Sequence, residues 1–509
     1  MFFRQLYDDQ LAQASYLVGC QQTGEALVVD PTRDLDQYLA LAARERLRIV
    51  AVTETHIHAD FVSGARELAG RTGARLYLSG AGPAAWQYAY AGTAHATLLR
   101  DGDTFAVGRI RVEALHTPGH TPESLSFLVT DTASAGVPMG IFTGDLVFVG
   151  DVGRPDLLER AAGVAGAADG SARQLYRSLQ RFGTLQEYLQ VWPGHGAGSA
   201  CGRALGAVPQ STVGYERRTN WALETMPEER FVADVLAGQP DPPPYFARMK
   251  RVNKVGPAAV GDTPVPAPSD LAALQAELTA GTPIVDTRPA DAYAAGHIPG
   301  AISIPLGPAF LTWAGWLLPY DRPIALLGDA EQLAAAARRL RLIGLDRVTG
   351  SWTAAVLDAW TASGRALATI RRTDAAGLQA RLARGDVQVL DVRTTVEHAA
   401  GHIAGSLNIP LGHLSGRMGE IPSGRAVAVQ CQGGTRSAIG AGLLDARGRA
   451  DVLDVLGGFG AWQHAGLPVE REAPTPALDA APVEALAGSD EQQPQAAGRR
   501  EASATRDLG

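Results

Sequence analysis

Cysteine is scarce: Cys20, Cys201 and Cys431 are the three in 509 residues. An odd, scattered set excludes a disulfide framework and fits a reducing compartment. Excess positive charge is also missing, since 45 Lys and Arg against 53 Asp and Glu leave a formal net charge of −8. That balance gives no electrostatic footprint for nucleic acid. The pairs Arg338-Arg339 and Arg371-Arg372 are short and read as solvated faces. No apolar run reaches the length of a membrane span. Met1-Phe2-Phe3-Arg4-Gln5-Leu6-Tyr7-Asp8-Asp9 carries charge where a secretion signal needs an apolar core. The expectation is a cytoplasmic protein that engages neither nucleic acid nor membrane. The apolar fraction of 46% is ordinary for globular protein, and the length is too great for one core, which predicts three domains.

What is present is α/β patterning with an internal repeat. In residues 1–255, Ala26-Leu27-Val28-Val29 and Ile141-Phe142 read as strands, and residues 35–44 and 64–71 as helices packed on them. A Pro/Gly/Ala stretch, residues 256–268, reads as a linker. Beyond it, Ile284-Val285-Asp286-Thr287-Arg288 recurs as Val389-Leu390-Asp391-Val392-Arg393. Gly296-His297-Ile298 recurs as Gly401-His402-Ile403, and Ile304-Pro305-Leu306-Gly307 as Ile409-Pro410-Leu411-Gly412, at a constant offset. This is a tandem duplication of a domain of about a hundred residues, too long a period for a solenoid. Strand signals alternating with helical ones (333–342, 437–447) predict parallel sheets with helices on both faces in residues 269–368 and 369–474. Residues 475–509 are rich in Ala, Pro, Glu and Gln and predict a disordered tail.

Two motifs carry chemistry. In Thr55-His56-Ile57-His58-Ala59-Asp60-Phe61, two histidines and a carboxylate alternate just after the apolar run Ile49-Val50-Ala51-Val52. A strand end is a rigid platform for metal ligands. Further candidates follow in His120 of Thr117-Pro118-Gly119-His120, Asp145 of Phe142-Thr143-Gly144-Asp145 and His195 of Trp192-Pro193-Gly194-His195. Singly each reads as structural, but in this order they make a metal site. His116 lies four residues before His120, and Pro118 between them argues against a helical ligand pair; it reads as structural. The second motif is Cys431-Gln432-Gly433-Gly434-Thr435-Arg436-Ser437, between the strand at 426–429 and a helix. Backbone N–H groups of so short a glycine-rich loop can point at a sulfur anion. The helix start and Arg436 add positive potential that favours thiolate. No cysteine lies between Cys201 and Cys431, so the equivalent loop of the first repeat, near Leu327-Gly328-Asp329-Ala330-Glu331, has no nucleophile.

The first pattern resembles the metallo-β-lactamase superfamily, whose motif reads His-x-His-x-Asp-His. There the first two histidines serve one metal, and the Asp and last His a second. The resemblance implies an αββα sandwich for residues 1–255. Phe61 stands where the last His belongs, and phenylalanine ligates nothing, so a single metal is expected. His56, His120 and Asp145 make a 2-His-1-carboxylate set suited to Fe(II) with open positions, and persulfide dioxygenases of this superfamily use the matching positions. One Fe(II) per chain is the expected cofactor, with zinc as the alternative. His58, Asp60 and His195 would then support the ligands or be remnants of a second site, although His58 is a ligand in zinc hydrolases. Gly153-Arg154-Pro155-Asp156 resembles the dioxygenase loop whose arginine faces the thiol substrate; the alternative for Arg154 is a structural ion pair. Cys201 could carry sulfur or be oxidised, or be a small buried hydrophobe, as Cys20 is also read.

The Cys431 loop resembles the active loop of rhodanese sulfurtransferases, with Cys431 and Arg436 catalytic and Gln432, Gly433, Gly434, Thr435 and Ser437 cradling the persulfide. Residues 269–368 would be an inactive rhodanese-like domain serving docking or spacing. The whole order resembles bacterial persulfide dioxygenase–sulfurtransferase fusions of sulfide detoxification. This implies a thiol persulfide, O2, and sulfite or thiosulfate as small-molecule partners, sulfur-carrier proteins as further ones, and a homo-oligomer. A thioesterase resembling glyoxalase II is the alternative within the fold, weakened by Phe61. A sulfur-relay scaffold with a structural metal is the alternative outside it, weakened by the open ligand set.

Overall fold

The computed structural model of the chain describes residues 1–160, 166–203, 205–261 and 264–471. The expected tail at 475–509 lies outside the described residues. Residues 1–255 build two six-stranded sheets. The first orders its strands as the sequence does: Phe2–Asp8, Gln13–Cys20, Glu25–Val29, Arg48–Thr53, Arg75–Ser79 and Thr97–Leu99. The second runs from Ser211–Thr212 through Gln190–Pro193, Gly140–Gly144, Leu125–Asp131 and Ile110–His116 to Thr104–Val107. Val18, Leu27, Val29 and Ala51 of one sheet meet Phe105, Val112, Phe127, Phe142 and Trp192 of the other in a shared core. The opposite side chains of the same strands pack on helices. Leu35–Arg44 and Ala65–Thr72 cover the first sheet, and Ala167–Gly183 and Glu228–Leu236 the second. Burial on both faces is why the central strands read as continuous apolar runs rather than alternating ones. The αββα expectation holds.

Residues 269–471 form two parallel sheets, one per repeat. The first orders its strands Ile302–Ser303, Ile284–Asp286, Ile324–Gly328, Val348–Thr353. The second gains an edge strand, Arg371–Thr373, beside Val452–Val455, Ala426–Gln430, Val387–Asp391 and Leu407–Asn408. The shared Asp-x-Arg and Gly-His motifs prove to be scaffold. Arg288 is bidentate to Asp286 and donates to the Gly296 carbonyl at 2.9 Å. Arg393 repeats this with Asp391 and Gly401.

The domains share packing. Helix Tyr245–Val255, which closes the first domain, lays Tyr245, Phe246 and Met249 into a core with Phe61, Val62, Phe310, Leu311, Leu340 and Ile343. The Val62 N–H donates to the Leu342 carbonyl at 2.7 Å. The expected linker lies against the first domain: Arg33 donates to the Ala258 carbonyl and the Val260 N–H to Glu67. Between the repeats, helix Thr435–Ala446 packs on strand Ile302–Ser303, and His297 reaches Asp445 at 3.0 Å.

Candidate metal centre and cysteine loop

The strand Arg48–Thr53 delivers Glu54, Thr55 and His56 to one end of the sandwich, where the loops carrying His120, Asp145 and His195 converge. The ligand atoms of His56, His120 and Asp145 lie within 4.8 Å of one another, and all three residues are buried. Hydrogen bonds fix which nitrogen each histidine offers. His120 Nδ1–H donates to the Arg154 carbonyl at 3.0 Å, leaving the Nε2 lone pair 3.4 Å from Asp145 Oδ2. The Thr55 hydroxyl gives its proton to Asp30 Oδ2 at 2.9 Å, so it accepts from His56 Nδ1, also at 2.9 Å. His56 Nε2 is left 3.8 Å from Asp145 Oδ2. Both His56 Nε2 and Asp145 Oδ2 are buried without a hydrogen-bond partner. A buried unpartnered acceptor costs stability unless something fills its place, and three lone pairs aimed at one point fit a cation.

The electrostatics agree. Burial, with His58 beside it, holds His56 neutral, well below its ordinary pKa. Burial likewise takes His120 down to about 4. Burial opposes ionisation of Asp145, but the protonated His195 that donates to it outweighs burial and keeps the carboxyl ionised. Two neutral imidazoles and one carboxylate are the protonation states a divalent metal needs. Glycine makes the fit possible: a Cβ on Gly153 would lie 1.9 Å from the Asp145 carbonyl.

The remaining candidates surround this triad. His195 donates from Nδ1 to Asp145 Oδ1 and from Nε2 to Asp60 Oδ2, both at 2.8 Å. Against burial, those two carboxylates raise it well above its usual pKa. Both its nitrogens are occupied, and it aims Asp145. Asp60, His195 and Cys201 also place ligand atoms within 4.8 Å of one another. Burial, then Asp60 and Asp145, push the Cys201 thiol well up, the condition of an inert buried thiol rather than a reactive one. His58 Nε2–H is bonded to Asp30 Oδ1 at 3.0 Å. The Arg154 side chain does not have the substrate-facing place expected of it. It is fully buried, and Asp156 takes Nε and Nη2 at 2.7 Å each. What Arg154 offers the centre is its main-chain carbonyl. His116 donates to or accepts from the centre nowhere; its Nε2–H meets the Pro122 carbonyl at 2.8 Å.

At the second motif, strand Ala426–Gln430 ends at Cys431 and the helix starts at Thr435, so four residues span the gap. The Gly434 N–H points at Cys431 Sγ, 3.1 Å away. The Gly457-Gly458 turn underlies the loop: a Cβ on Gly458 would sit 2.1 Å from the Cys431 carbonyl, which accepts from the Phe459 N–H at 2.7 Å. Arg436 is held bidentate by Glu397, both contacts 2.7 Å, so its charge is largely balanced there. Ser437 donates to Asp454 at 2.7 Å, and Gln432 accepts from Arg393 at 3.4 Å. In the first repeat strand Ile324–Gly328 and helix Ala330–Leu342 are separated by Asp329 alone. The cradle itself is missing there, not only the nucleophile.

A family model described as metallo-beta-lactamase superfamily matches residues 8–195, and one described as rhodanese-like domain matches 268–355 and 374–465. A solved structure of a metallo-beta-lactamase from Staphylococcus aureus is 43% identical, with a TM-score of 0.63, covering 69% of this chain and 99% of that one. A probable metallo-hydrolase of Burkholderia pseudomallei is 31% identical over 45% of this chain and 82% of its own length. The chain belongs to the metallo-beta-lactamase superfamily. Its second half carries two rhodanese-like domains. The persulfide dioxygenase ETHE1 of Bos taurus is 29% identical over 46% of this chain and 79% of that protein.

Within this metallo-beta-lactamase domain, sequence reading missed three residues that build the site. Asp30 accepts from the Thr55 N–H, the Thr55 hydroxyl and His58; the signal was a carboxylate at a strand end, Val29-Asp30-Pro31. Asn253 donates to the carbonyls of His58 and Phe61 at 2.8 and 2.7 Å and accepts from the Ser63 N–H at 2.9 Å. Lys250, one turn before it, is a buried cation. Nothing in the sequence links that helix to the histidine motif.

Proposed function

We propose that the chain is a persulfide dioxygenase joined to a working sulfurtransferase, oxidising a thiol persulfide with O2 and moving sulfane sulfur through Cys431. The observation that carries the reading is the set of three converging lone pairs on His56 Nε2, His120 Nε2 and Asp145 Oδ2, beside a His195 already engaged at both nitrogens. Phe61 removes the remaining ligand a second metal would want. His56, His120 and Asp145 would hold one iron(II), which when bound supplies open positions for a persulfide sulfur and O2. The balanced reaction is RSSH + O2 + H2O → RSH + SO3²⁻ + 2H⁺.

The protein's own contribution is orientation and exclusion of water. Asp30 and the Arg154 carbonyl fix the imidazole tautomers, and His195 holds Asp145 Oδ1 so that Oδ2 faces inward. The buried setting keeps bulk water from a reactive sulfur intermediate. At the second site Cys431 attacks the outer sulfur of a persulfide, forming a Cys431 persulfide and releasing RSH. Sulfite then attacks that outer sulfur, forming thiosulfate and returning the Cys431 thiolate. Gly434 N–H and the start of the helix stabilise the anion in each state.

The test is oxygen uptake by iron-loaded protein given glutathione persulfide, with sulfite and thiosulfate measured. One O2 consumed per sulfite-level product, lost in Asp145→Ala, supports the reading. No uptake from a sample that hydrolyses a glutathione thioester makes the chain a thioesterase with an attached sulfurtransferase.

A further inference from the structure

Helix Tyr245–Val255 puts an unusual group beside the metal centre. Lys250 is 5% exposed, and its Nζ makes no hydrogen bond. The ammonium lies 4.6 Å from the centre of the Trp86 ring. A cation over an indole face is partly stabilised without using any of its N–H donors, so three strong donors remain free to one side. The helix shows where that side looks. Asn253, three residues on along the same face, donates to the carbonyls of His58 and Phe61, and Glu123, three residues past His120, accepts from the Ile57 N–H between His56 and His58. The Lys250 face of the helix therefore turns toward the loops that carry His56, His58 and His120.

A buried ammonium without a bonded anion is costly. Glu123 is the obvious counter-ion, but its geometry does not serve. Its Oε1 accepts from the Ile57 N–H at 2.9 Å, while its Oε2 is as unpartnered as the lysine. Two complementary buried groups that do not bond each other leave the cation available to a third. Cys201 does not supply the anion either, because its surroundings favour the neutral thiol.

We propose that Lys250 receives the anionic sulfur group of the substrate and of its oxidised product, and so sets a preference for anionic sulfur species over neutral thioesters. The identity of that substrate rests on the dioxygenase reading; the anion site itself does not. A persulfide anion arrives with its charge on the terminal sulfur. The oxidised product carries that charge on oxygens attached to the same atom, so one cation facing these loops meets both.

The experiment uses the full-length chain without metal and sulfite as the probe, followed by titration calorimetry. Wild type should bind sulfite, Lys250→Met should bind it at least tenfold more weakly, and Lys250→Arg should keep most of the affinity. Sulfite held at the Cys431 loop cancels in the comparison. Lys250→Met combined with Glu123→Gln separates the roles. If Lys250 only balances Glu123, the double variant recovers wild-type melting and wild-type sulfite binding, and the proposal falls. If Lys250 is the anion site, melting recovers while binding stays lost. A wild-type chain that binds no sulfite also overturns the proposal. In iron-loaded enzyme the same substitution should raise KM for glutathione persulfide at least tenfold. Absence of O2 uptake in the wild type would remove the dioxygenase reading and leave the sulfite comparison to decide Lys250.

Discussion

Asn253 closes three hydrogen bonds to the ligand loop: to the carbonyls of His58 and Phe61 and from the Ser63 N–H. It is 1% exposed. Asn253→Ala would orphan the His58 and Phe61 carbonyls and the Ser63 N–H. Leaving a buried polar group unsatisfied costs about 1–3 kcal/mol, so three such groups put the loss at roughly 3–9 kcal/mol before water enters the vacated space. Part of that loss should appear at the metal, since the freed loop carries His56 and Asp60. Removing an outer partner of a ligand typically weakens metal binding about 10- to 100-fold. Chelator competition measures the affinity, and denaturant unfolding followed by tryptophan fluorescence measures the stability. Asn253→Asp is the graded control, because it keeps the acceptor for Ser63 and loses both donations. An Asn253→Ala chain with wild-type metal affinity and an unmoved unfolding transition would refute the reasoning. It would mean that the strand end alone holds the motif.

Three further outcomes are expected. In the metal-free protein His58 is disfavoured as a cation by burial, yet Asp30, Glu54 and Asp60 lift it to about 9. Its stabilising contribution is therefore complete below an unfolded pKa of about 6.5 and is lost as pH rises through about 9. Urea melts across that window should show stability falling, and Asp30→Asn should flatten the slope. Phe61→His should not create a second metal site, because His195 is already engaged by Asp145 and Asp60 and position 61 lies in the inter-domain core. Metal analysis should still find one ion per chain, with stability lower by about 2–4 kcal/mol. Cys431→Ser should abolish thiosulfate formation while leaving O2 uptake with glutathione persulfide unchanged, as a rhodanese assay beside an oxygen electrode would show.

Much of the fold was legible because burial leaves a period behind it. The helix expected at residues 35–44 is Leu35–Arg44, and the strand expected at 426–429 extends only to Gln430. The grouping of His56, His120 and Asp145 was legible for a different reason: each follows a strand or a Pro/Gly turn, and that placement is written locally. Roles set by which side chains pair were not legible. Arg154 stands in a motif that suggests substrate contact, but Asp156, two residues away, captures its guanidinium. Arg436 was expected to lend its charge to Cys431, and the expectation did not foresee that Glu397 pairs with it, both contacts 2.7 Å. In both cases the sequence shows the cation and the carboxylate, and only the fold shows that they meet. The matched Asp-x-Arg pairs of the two repeats err in the other direction, since a motif kept in both copies marks what both must do to fold.

The first repeat gains a role from the same comparison. Its sulfur loop is reduced to Asp329 between strand and helix, so no restored cysteine would find a cradle there. Its helix Ala330–Leu342 nevertheless ends against the metal loop through the Leu342 carbonyl and Val62. Helix Phe310–Leu317 meets Tyr245, where a Cβ on Gly315 would fall 2.5 Å from the ring. One side of helix Tyr245–Val255 is thus seated on the first repeat, while Asn253 bonds the loop that carries His58 and Phe61. A repeat that has lost its nucleophile and its loop, yet buries Phe61 in a common core, acts as a wall of the metal domain. That packing also accounts for phenylalanine at position 61: the side chain fills an apolar junction between domains where a histidine would have to be buried without a metal to bind.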